Sequence, residues 1–561
     1  MAEPEQGLNG QWDERSSYAG RWVACLGGRI VGQGGTPQQA LRAAQASRFK
    51  ETPQITFVDT IPPFEIHPIL ERIASLLPQD QAIYVVGGAV RDALLRRPVQ
   101  ELDFTLPEGA IRTARKIADS LEGAFYVLDK DRDYGRVILF QPEGNRLVLD
   151  FAAFQGDSLE EDLEGRDFTI NAMAVDVHHL QELLDPLGGG ADLYSKHLRA
   201  CTPEAFTADP VRVLRGIRFA ISLGFTAHAE TKERMRAAVD LLPEVSAERI
   251  RDELFHLLES DQPAAAMRAL DYLHAMPYVL PELTSMKGVE QSPPHNSDVW
   301  EHSLDVSKKL HDVLSVLLPA YNPENYANLH LGVISHRLGR YREQIDSHLK
   351  THLNQDRSIR GLLFLAALYH DVGKPDTSQL DQDGRIHFYG HEEIGSELAL
   401  ERGSDLQLSN PEIDRLRTIV LNHMRPIWLA QKGNHPSRRA IYRYFRDTGP
   451  AGVDICWLSL ADTLATFGPT LPADTWAHQV EVIRMLLEAY WENKDEIVSP
   501  PALINGNDLI GELGLKPGPI IGQLLADIQE AQATGLVGNR RQALELASEL
   551  LNQAQSDLES D

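Results

Sequence analysis

The chain has 561 residues, length enough for three or four domains at roughly 150 residues each. Its 54 Lys and Arg stand against 81 Asp and Glu, a net charge of −27; this excludes non-specific coating of nucleic acid and confines any nucleic-acid site to a small part of the surface. No run of about 18 apolar residues occurs, the acidic N-terminus lacks a signal's apolar stretch, and Cys25, Cys201 and Cys456 make neither a disulfide framework nor a zinc knuckle. No membrane partner is expected, and a cytoplasmic location is.

Residues 1–60 read as a small ββα appendage: Trp22–Leu26 and Arg29–Val31 as a hairpin around Gly27-Gly28, then a helix from Thr36-Pro37 to about Ser47. Pro62-Pro63 marks a boundary. Residues 64–200 form an α+β domain, with a helix from Ile69, an apolar run 82–86 ending at Gly87-Gly88, and β-branched or aromatic runs at 125–128, 136–140 and 146–152. After Pro203 the amphipathic pattern is helical to the end. Segments are expected at 201–285, 290–490 and 500–561, with 320–360 as a polar insertion.

Val85-Val86-Gly87-Gly88-Ala89-Val90-Arg91-Asp92 reads as strand, turn and helix start, where backbone N–H groups and the helix N-terminus favour a phosphate and Arg91 can pair with it. Glu101 and Asp103, two apart on a strand, point to one face, and Asp150 lies on another strand. Such a trio suits two Mg²⁺ ions in phosphoryl transfer, although an isolated E-x-D is more often a solvated strand edge.

The stretch 84–106 resembles the first motif of class II tRNA nucleotidyltransferases, CCA-adding enzymes that share a fold with bacterial poly(A) polymerases. Arg166-Asp167-Phe168-Thr169-Ile170-Asn171 resembles the family's ribose motif, and Asp209-Pro210-Val211-Arg212 through Phe219 its base-reading helix. The resemblance covers roughly 64–285. It implies an α+β fold with a nucleotidyltransferase palm followed by a mostly helical neck, HD and tail region. It implies Glu101, Asp103 and Asp150 as catalytic acids, the first two on Mg²⁺ and Asp150 assisting the attacking hydroxyl. Gly87, Gly88, Arg91, Arg166, Asp167 and Asn171 would hold triphosphate and ribose. Asp209 and Arg212, three apart on a helix, would read the base edge of CTP or ATP, with Arg215 and Arg218 as further contacts. The family's metal pair is Asp-x-Asp, and Glu101 departs from it. The Arg- and Tyr-bearing loop of full CCA-adding enzymes is replaced by the short acidic stretch Gln155–Gly165, which resembles the CC-adding subtype.

His302, His370-Asp371, His391, His423 and Asp462 occur in the order H…HD…H…H…D, similar to the HD phosphohydrolase superfamily. That resemblance implies His302, His370, Asp371 and Asp462 as ligands of a divalent transition metal, His391 and His423 at a second metal or the phosphate, and Lys374 near the phosphate. A metal site that is structural only is the bland alternative. The region from Leu503 to Gly522 resembles the family's C-terminal tRNA-contacting segment, with a short helix from Gly518-Pro519.

The expected function is addition of C and/or A residues of the CCA terminus to the tRNA 3′ end from CTP and ATP, more sharply CC addition, with phosphohydrolase chemistry in the HD region as a further expectation. Poly(A) polymerase, and an HD phosphohydrolase with an inactive transferase domain, are the alternatives. Oligomeric state is not legible.

Overall fold

The computed structural model describes residues 22–26, 29–34, 37–46, 52–57, 65–140, 146–321, 328–354, 357–431 and 435–560. The Gly27-Gly28 turn, Thr36, Ser47 and Pro62-Pro63 lie outside them. The chain divides into two compact units, Met1–Glu244 and Val245–Asp561, so the helical stretch expected at 201–285 belongs partly to each.

In the first unit, β1 (Trp22–Leu26) pairs antiparallel with β2 (Arg29–Gly34), and the helix Pro37–Ala46 follows. The expected ββα unit gains β3 (Gln54–Phe57) on the free edge of β1, giving the order β2-β1-β3. Four residues with only Ile55 and Thr56 β-branched were too short a run to read as a strand; the unpaired edge of β1 supplies the partner. Ala24, Ala40 and Ala44 form its small core.

The palm is a seven-stranded mixed sheet built from β4 (Tyr84–Val86), β5 (Glu101–Leu106), β6 (Ala124–Asp129), β7 (Tyr134–Phe140), β8 (Arg146–Ala153), β9 (Ala174–Asp176) and β10 (Leu183–Leu184). Their order is β10-β9-β4-β5-β8-β7-β6, with β5 and β8 parallel and every other pair antiparallel. The helix Ala110–Leu121 buries Ala110, Ala114, Ile117 and Ala118, and Phe104 stacks on Phe151 across the parallel pair with ring centroids 4.5 Å apart. That aromatic stack pins the register in which Asp103 faces Asp150.

The second unit is helical apart from an antiparallel pair of short strands, Ser378–Leu380 and Ile386–Phe388. Val299–Leu317, Ile359–Tyr369 and Ala451–Phe467 are its inner helices; ten of the eleven residues of Ile359–Tyr369 are buried, as an all-round apolar run requires. The polar stretch 320–360 carries the helices Leu329–Leu338 and Arg342–Leu349, which bury Leu331, Ile334, Leu338, Ile345 and Leu349. Its described helices pack into the unit's core. At the C-terminal end, Gly506–Leu513, Pro519–Ala533 and Arg540–Ser560 enclose a separate core around Leu509, Leu524 and Ile528. The helix begun by Pro519 runs fifteen residues, longer than the short one expected, because Leu524, Ile528 and Ala531 continue its apolar stripe. Among the described residues no helix is long and apolar enough to cross a membrane.

Candidate active sites

In the palm, β4 ends at Val86, paired with Asp103 of β5. The chain then turns at Gly87, whose φ of +73° favours glycine, and enters the helix Gly88–Leu94. A Cβ on Gly87 would stand 3.1 Å from Arg166 Nη1 and 3.3 Å from Asp103 Oδ2, so the turn is a place of close approach as well. Glu101 and Asp103 alternate with buried Leu102 and share a face, and the parallel register sets Asp150 beside Asp103. A cavity of about 530 Å³ opens here, lined by Asp103, Tyr134, Asp150, Asp162 and Arg166 among others, a size suited to a nucleotide.

Burial, opposed by Arg166 and reinforced by Asp150 and Glu101, pushes the Asp103 carboxyl up to about 6. Crowded carboxylates of this kind fit a divalent cation, which favours their ionised forms; Asp103 and Glu101 would hold it. The third acid is held differently. Asp150 accepts from Arg136 Nε and Nη2 and from the Tyr134 hydroxyl, each at 2.8 Å. Both its oxygens are engaged by the neighbouring strand. The role of assisting the attacking hydroxyl therefore requires this clamp to open. Tyr134 and Arg136 were missed in the sequence; the signal was there, because residues two apart on a strand next to Asp150 face the same side.

The ribose motif is tied into one network. Asp167, buried, accepts from Phe168 N, from Asn171 Nδ2 at 2.9 Å and from Arg215 Nε at 2.8 Å. Asn171 Oδ1 in turn accepts from Arg91 Nη1 at 2.7 Å, and Arg91 also forks onto Asp92. Burial raises the Asp167 carboxyl, but Arg215 and Asn171 outweigh it and hold it below the ordinary carboxylate range. Arg91, Arg215 and Arg218 all lie over the Phe219 ring, at 5.1, 5.6 and 4.7 Å from its centroid. Arg166 donates to Asp162 at 3.1 Å. Asp162 belongs to the stretch Gln155–Gly165, which is a capped helix Leu159–Glu164 with Ser158 at its N-cap.

Asp209 is not on the base-reading helix. Pro210 follows it, and the residue before a proline is driven out of the α region; its backbone is extended, with φ −150° and ψ 93°, and the helix runs Arg212–Leu223. The two side chains still meet, Arg212 Nε lying 3.7 Å from Asp209 Oδ2. Arg212 also donates to the carbonyls of Gly165 and Arg166 at 2.7 and 3.0 Å, so its guanidinium is fixed by the ribose motif. The four residues Asp209, Arg212, Arg215 and Arg218 do not form one row: Arg212 sits on 165–166, Arg215 on Asp167 and Arg218 on Phe219.

The second site converges more tightly. His302 Nε2 lies 3.1 Å from Asp462 Oδ1 and 3.6 Å from Asp371 Oδ2, His370 Nε2 3.1 Å from Asp371 Oδ2, and His391 Nε2 3.4 Å from Asp371 Oδ1. His391 and His423 bring their Nε2 atoms within 3.3 Å of each other. Two sets, His302–His370–Asp371 and Asp371–His391–His423, have ligand atoms within 4.8 Å of one another, sharing Asp371. His370, His391 and His423 each place Nδ1 2.7–2.8 Å from the carbonyl three residues earlier. That bond orients Nδ1–H to the backbone and turns the Nε2 lone pair inward, the tautomer a metal needs.

His302 Nε2 and His370 Nε2 are buried with, among the described residues, only the carboxylates of Asp462 and Asp371 before them. Buried polar atoms are rarely left so, and the donor set of imidazoles and carboxylates fits a divalent transition metal. Burial pulls the His423 imidazole down to about 3, with His370 adding to the effect, which keeps it neutral and able to ligate. Burial would raise the Asp371 carboxyl, but His370 and Lys374 (2.6 Å away) hold it well below its ordinary range. A cavity of about 500 Å³ stands before the cluster, lined by Asp371, Lys374, His391 and Asp462 and by Phe388, Trp428 and Phe467. His295 lines it too, its ring 5.0 Å from that of His302; a histidine outside the HD spacing, it was not found in the sequence.

A carboxylate-bearing palm with a glycine phosphate turn, joined in one chain to an HD-type histidine–aspartate cluster, defines a nucleotidyltransferase with an appended HD domain. The chain matches the family described as "Poly A polymerase head domain" over residues 83–199, "Probable RNA and SrmB- binding site of polymerase A" over 224–287, "HD domain" over 299–465 and tRNA nucleotidyltransferase domain 2 over 475–547. Residues 13–60 match a family of unknown function. It is 32% identical over 482 residues to an A-adding tRNA nucleotidyltransferase of Deinococcus radiodurans, covering 85% of this chain and 97% of that protein. It is 32% identical to a CC-adding tRNA nucleotidyltransferase of Geobacter sulfurreducens (85% and 94% covered) and 31% to one of Thermus thermophilus (82% and 92%). A CCA-adding enzyme solved with ATP shares the fold at TM-score 0.54 and 20% identity, covering 87% of this chain and 94% of that one. This chain belongs to the tRNA nucleotidyltransferase family, the class II branch with an HD domain. It is an RNA nucleotidyltransferase, and the family's chemistry depends on a divalent metal.

Proposed function

We propose that this protein extends the 3′ end of tRNA with cytidines from CTP, as a CC-adding enzyme, in the cytoplasm. The observation that carries the reading is the stretch Gln155–Gly165. Where full CCA addition resembles an enzyme with a flexible Arg- and Tyr-bearing loop, this chain has eleven residues, six of them locked in the helix Leu159–Glu164. Asp162 fastens it by accepting from Gln155 N at 2.9 Å and from Arg166. A stretch fastened in this way is not expected to re-aim Asp209 and Arg212 from cytosine to adenine. The extensively covered relatives carry names of partial activities, CC-adding and A-adding, which supports a division of labour over complete CCA addition.

Mg²⁺ held by Asp103 and Glu101 would supply charge neutralisation for the triphosphate and lower the pKa of the 3′-hydroxyl. The chain's own groups do the rest. The Gly87 turn brings backbone N–H groups to the phosphates, Arg91 and Arg166 stand at either side of it, and Asn171 and Asp167 fix the ribose-side arginines. Asp209 accepts from an exocyclic amine and Arg212 donates to a ring nitrogen or carbonyl, favouring C and A over U and G. The extra methylene of Glu101 moves its carboxylate by roughly 1.5 Å, which a rotamer change accommodates at the exposed start of β5.

The test uses the purified chain with Mg²⁺ and three labelled tRNA transcripts, ending at the discriminator base, at C and at CC, each with CTP or ATP. CC addition predicts extension of the first by two and of the second by one, with none of the third by ATP. Addition of A to the CC end alone assigns the A-adding role and overturns this reading.

A second reading concerns the HD cluster alone, and its inward-facing Nε2 atoms favour it: a metal-dependent phosphohydrolase, with Lys374 placed for the phosphate. Hydrolysis of bis(p-nitrophenyl) phosphate that requires Mn²⁺, Co²⁺ or Ni²⁺ and vanishes in His370→Ala supports it; metal binding without hydrolysis leaves a structural metal.

A further inference from the structure

We propose that an arginine face on the helix Arg438–Thr448, braced from below by Glu530, grips the phosphate backbone of the RNA substrate, a surface additional to the palm and to residues 224–287. The proposal rests on the chain's reading as a tRNA nucleotidyltransferase.

Four of the nine residues Arg438 to Arg446 are arginine and none is acidic, in a chain of net charge −27. Arg439, Arg443 and Arg446 fall at i, i+4 and i+7, one face of the helix, while Ile441, Tyr444 and Phe445 are buried away from it. The arginine side chains are 47–63% exposed. Three of them converge on one carboxylate. Arg443 forks onto Glu530 at 2.8 and 2.9 Å, Arg439 donates to it, and Arg446 lies 3.7 Å away. Glu530, in the helix Pro519–Ala533, is 8% exposed.

Glu530 is held down to about 2, chiefly by its hydrogen bonds with Arg443, against burial, so it stays ionised beneath the face at any working pH. Counting every ion pair of this edge, Arg425, Arg438, Arg439, Arg443 and Arg446 face Glu496, Asp447 and Glu530, five positive charges against three negative. A buried carboxylate would be satisfied by one bidentate arginine. Three on one carboxylate is like-charge crowding that an arriving anion relieves. The brace also fixes guanidinium planes that would otherwise lose rotamer freedom on binding, so less entropy is lost on contact.

The row from Arg439 to Arg446 spans ~10 Å along the helix axis, long enough to meet more than one phosphate of a strand. An elongated, regularly spaced polyanion therefore fits the face better than a single small anion. Contacts to phosphate carry no sequence information, as recognition of every tRNA requires.

The experiment measures binding of labelled tRNA to the full chain without CTP or ATP, across a KCl series, for wild type, R439A/R446A and R439K/R446K. The alanine pair retains the Arg443 fork on Glu530 and so leaves the buried carboxylate partnered. Expected for R439A/R446A is a roughly tenfold weaker affinity and a slope of log K against log[salt] shallower by about 1.4–1.8, because two phosphates are no longer neutralised and each carries about 0.7–0.9 of the slope. The lysine pair keeps the wild-type slope, and neither pair changes the KM for CTP or the melting temperature. Wild-type affinity and slope in R439A/R446A overturn the proposal; so does a weaker affinity with an unchanged slope, which marks a purely structural strut. Because binding is read without nucleotide, a failure of the transferase reading shows separately, as tRNA bound but not extended.

Discussion

The palm and the HD cluster both gather buried carboxylates, and they satisfy them in opposite ways. In the palm the protein answers its own acids: Arg136 and Tyr134 close on Asp150, Arg215 and Asn171 on Asp167, Arg166 on Asp162. In the HD cluster His302 Nε2 and His370 Nε2 converge on the carboxylates of Asp462 and Asp371, and among the described residues Lys374 is the one cation beside them, 2.6 Å from Asp371 Oδ2. The first fits ligands that would change partners during a reaction. The second fixes its histidines on backbone carbonyls in an arrangement that fits a metal. Transient cation binding with substrate suits the first; resident metal suits the second.

The largest expected effect separates the two by their central acids. Asp103→Asn removes the proposed cation ligand of the palm and should lower the single-turnover rate of C addition by ~10²–10³-fold, the range seen when a preorganised transition-state contact is deleted. Metal-dependent hydrolysis in the HD region should be unchanged. If both activities fall together, the two sites are not independent.

Asp371→Asn tests the other side. Wild type with a transition metal at 100 times its Kd should gain about 2.7 kcal/mol of stability, read as a rise in Tm, and the variant should gain none. C addition by the variant should match wild type. A variant that keeps the metal-induced shift would place the metal elsewhere.

Arg136→Ala sharpens the contrast within the palm. Freed from its fork, Asp150 becomes available to a second cation, so we expect about a tenfold change in C-addition rate, near 1.4 kcal/mol, with an altered Mg²⁺ concentration at half-maximal rate. A change in rate without any change in Mg²⁺ dependence would make Arg136 a packing residue only.

The smallest effect is in pH. Asp103 titrates at about 6, above the ordinary carboxylate, and cation binding needs its ionised form. At limiting Mg²⁺ the rate should therefore rise as pH increases through about 6. Saturating Mg²⁺ favours the ionised form and should move that midpoint lower. A midpoint indifferent to Mg²⁺ would assign the titration to another group.

Legibility in the sequence followed the range of the interactions. The glycine turn, the E-x-D pair and the HD dipeptide are local patterns, and the strands and helices around them stand where apolar alternation and periodicity put them. What escaped was set by neighbours distant in the chain. The β3 strand exists because β1 has an open edge. The 328–354 helices are polar by composition yet bury Ile334, Leu338, Tyr341 and Ile345, and His348 there bonds Asp454, 106 residues away, at 2.7 Å. Asp209 left its helix for a local reason, the proline after it, that outweighed the motif's helical appearance. The clamp on Asp150 needed the β7–β8 register, in which Arg136 is paired with Asp150.

The central claim is that the short fastened stretch Gln155–Gly165 limits this enzyme to cytidine. It is tested most directly by one tRNA transcript ending at the discriminator base, given CTP and ATP together with Mg²⁺, with products resolved by length and identity. The account predicts two cytidines and a stop. A third nucleotide, adenosine, on the same transcript would contradict it and show that base switching needs no flexible loop here.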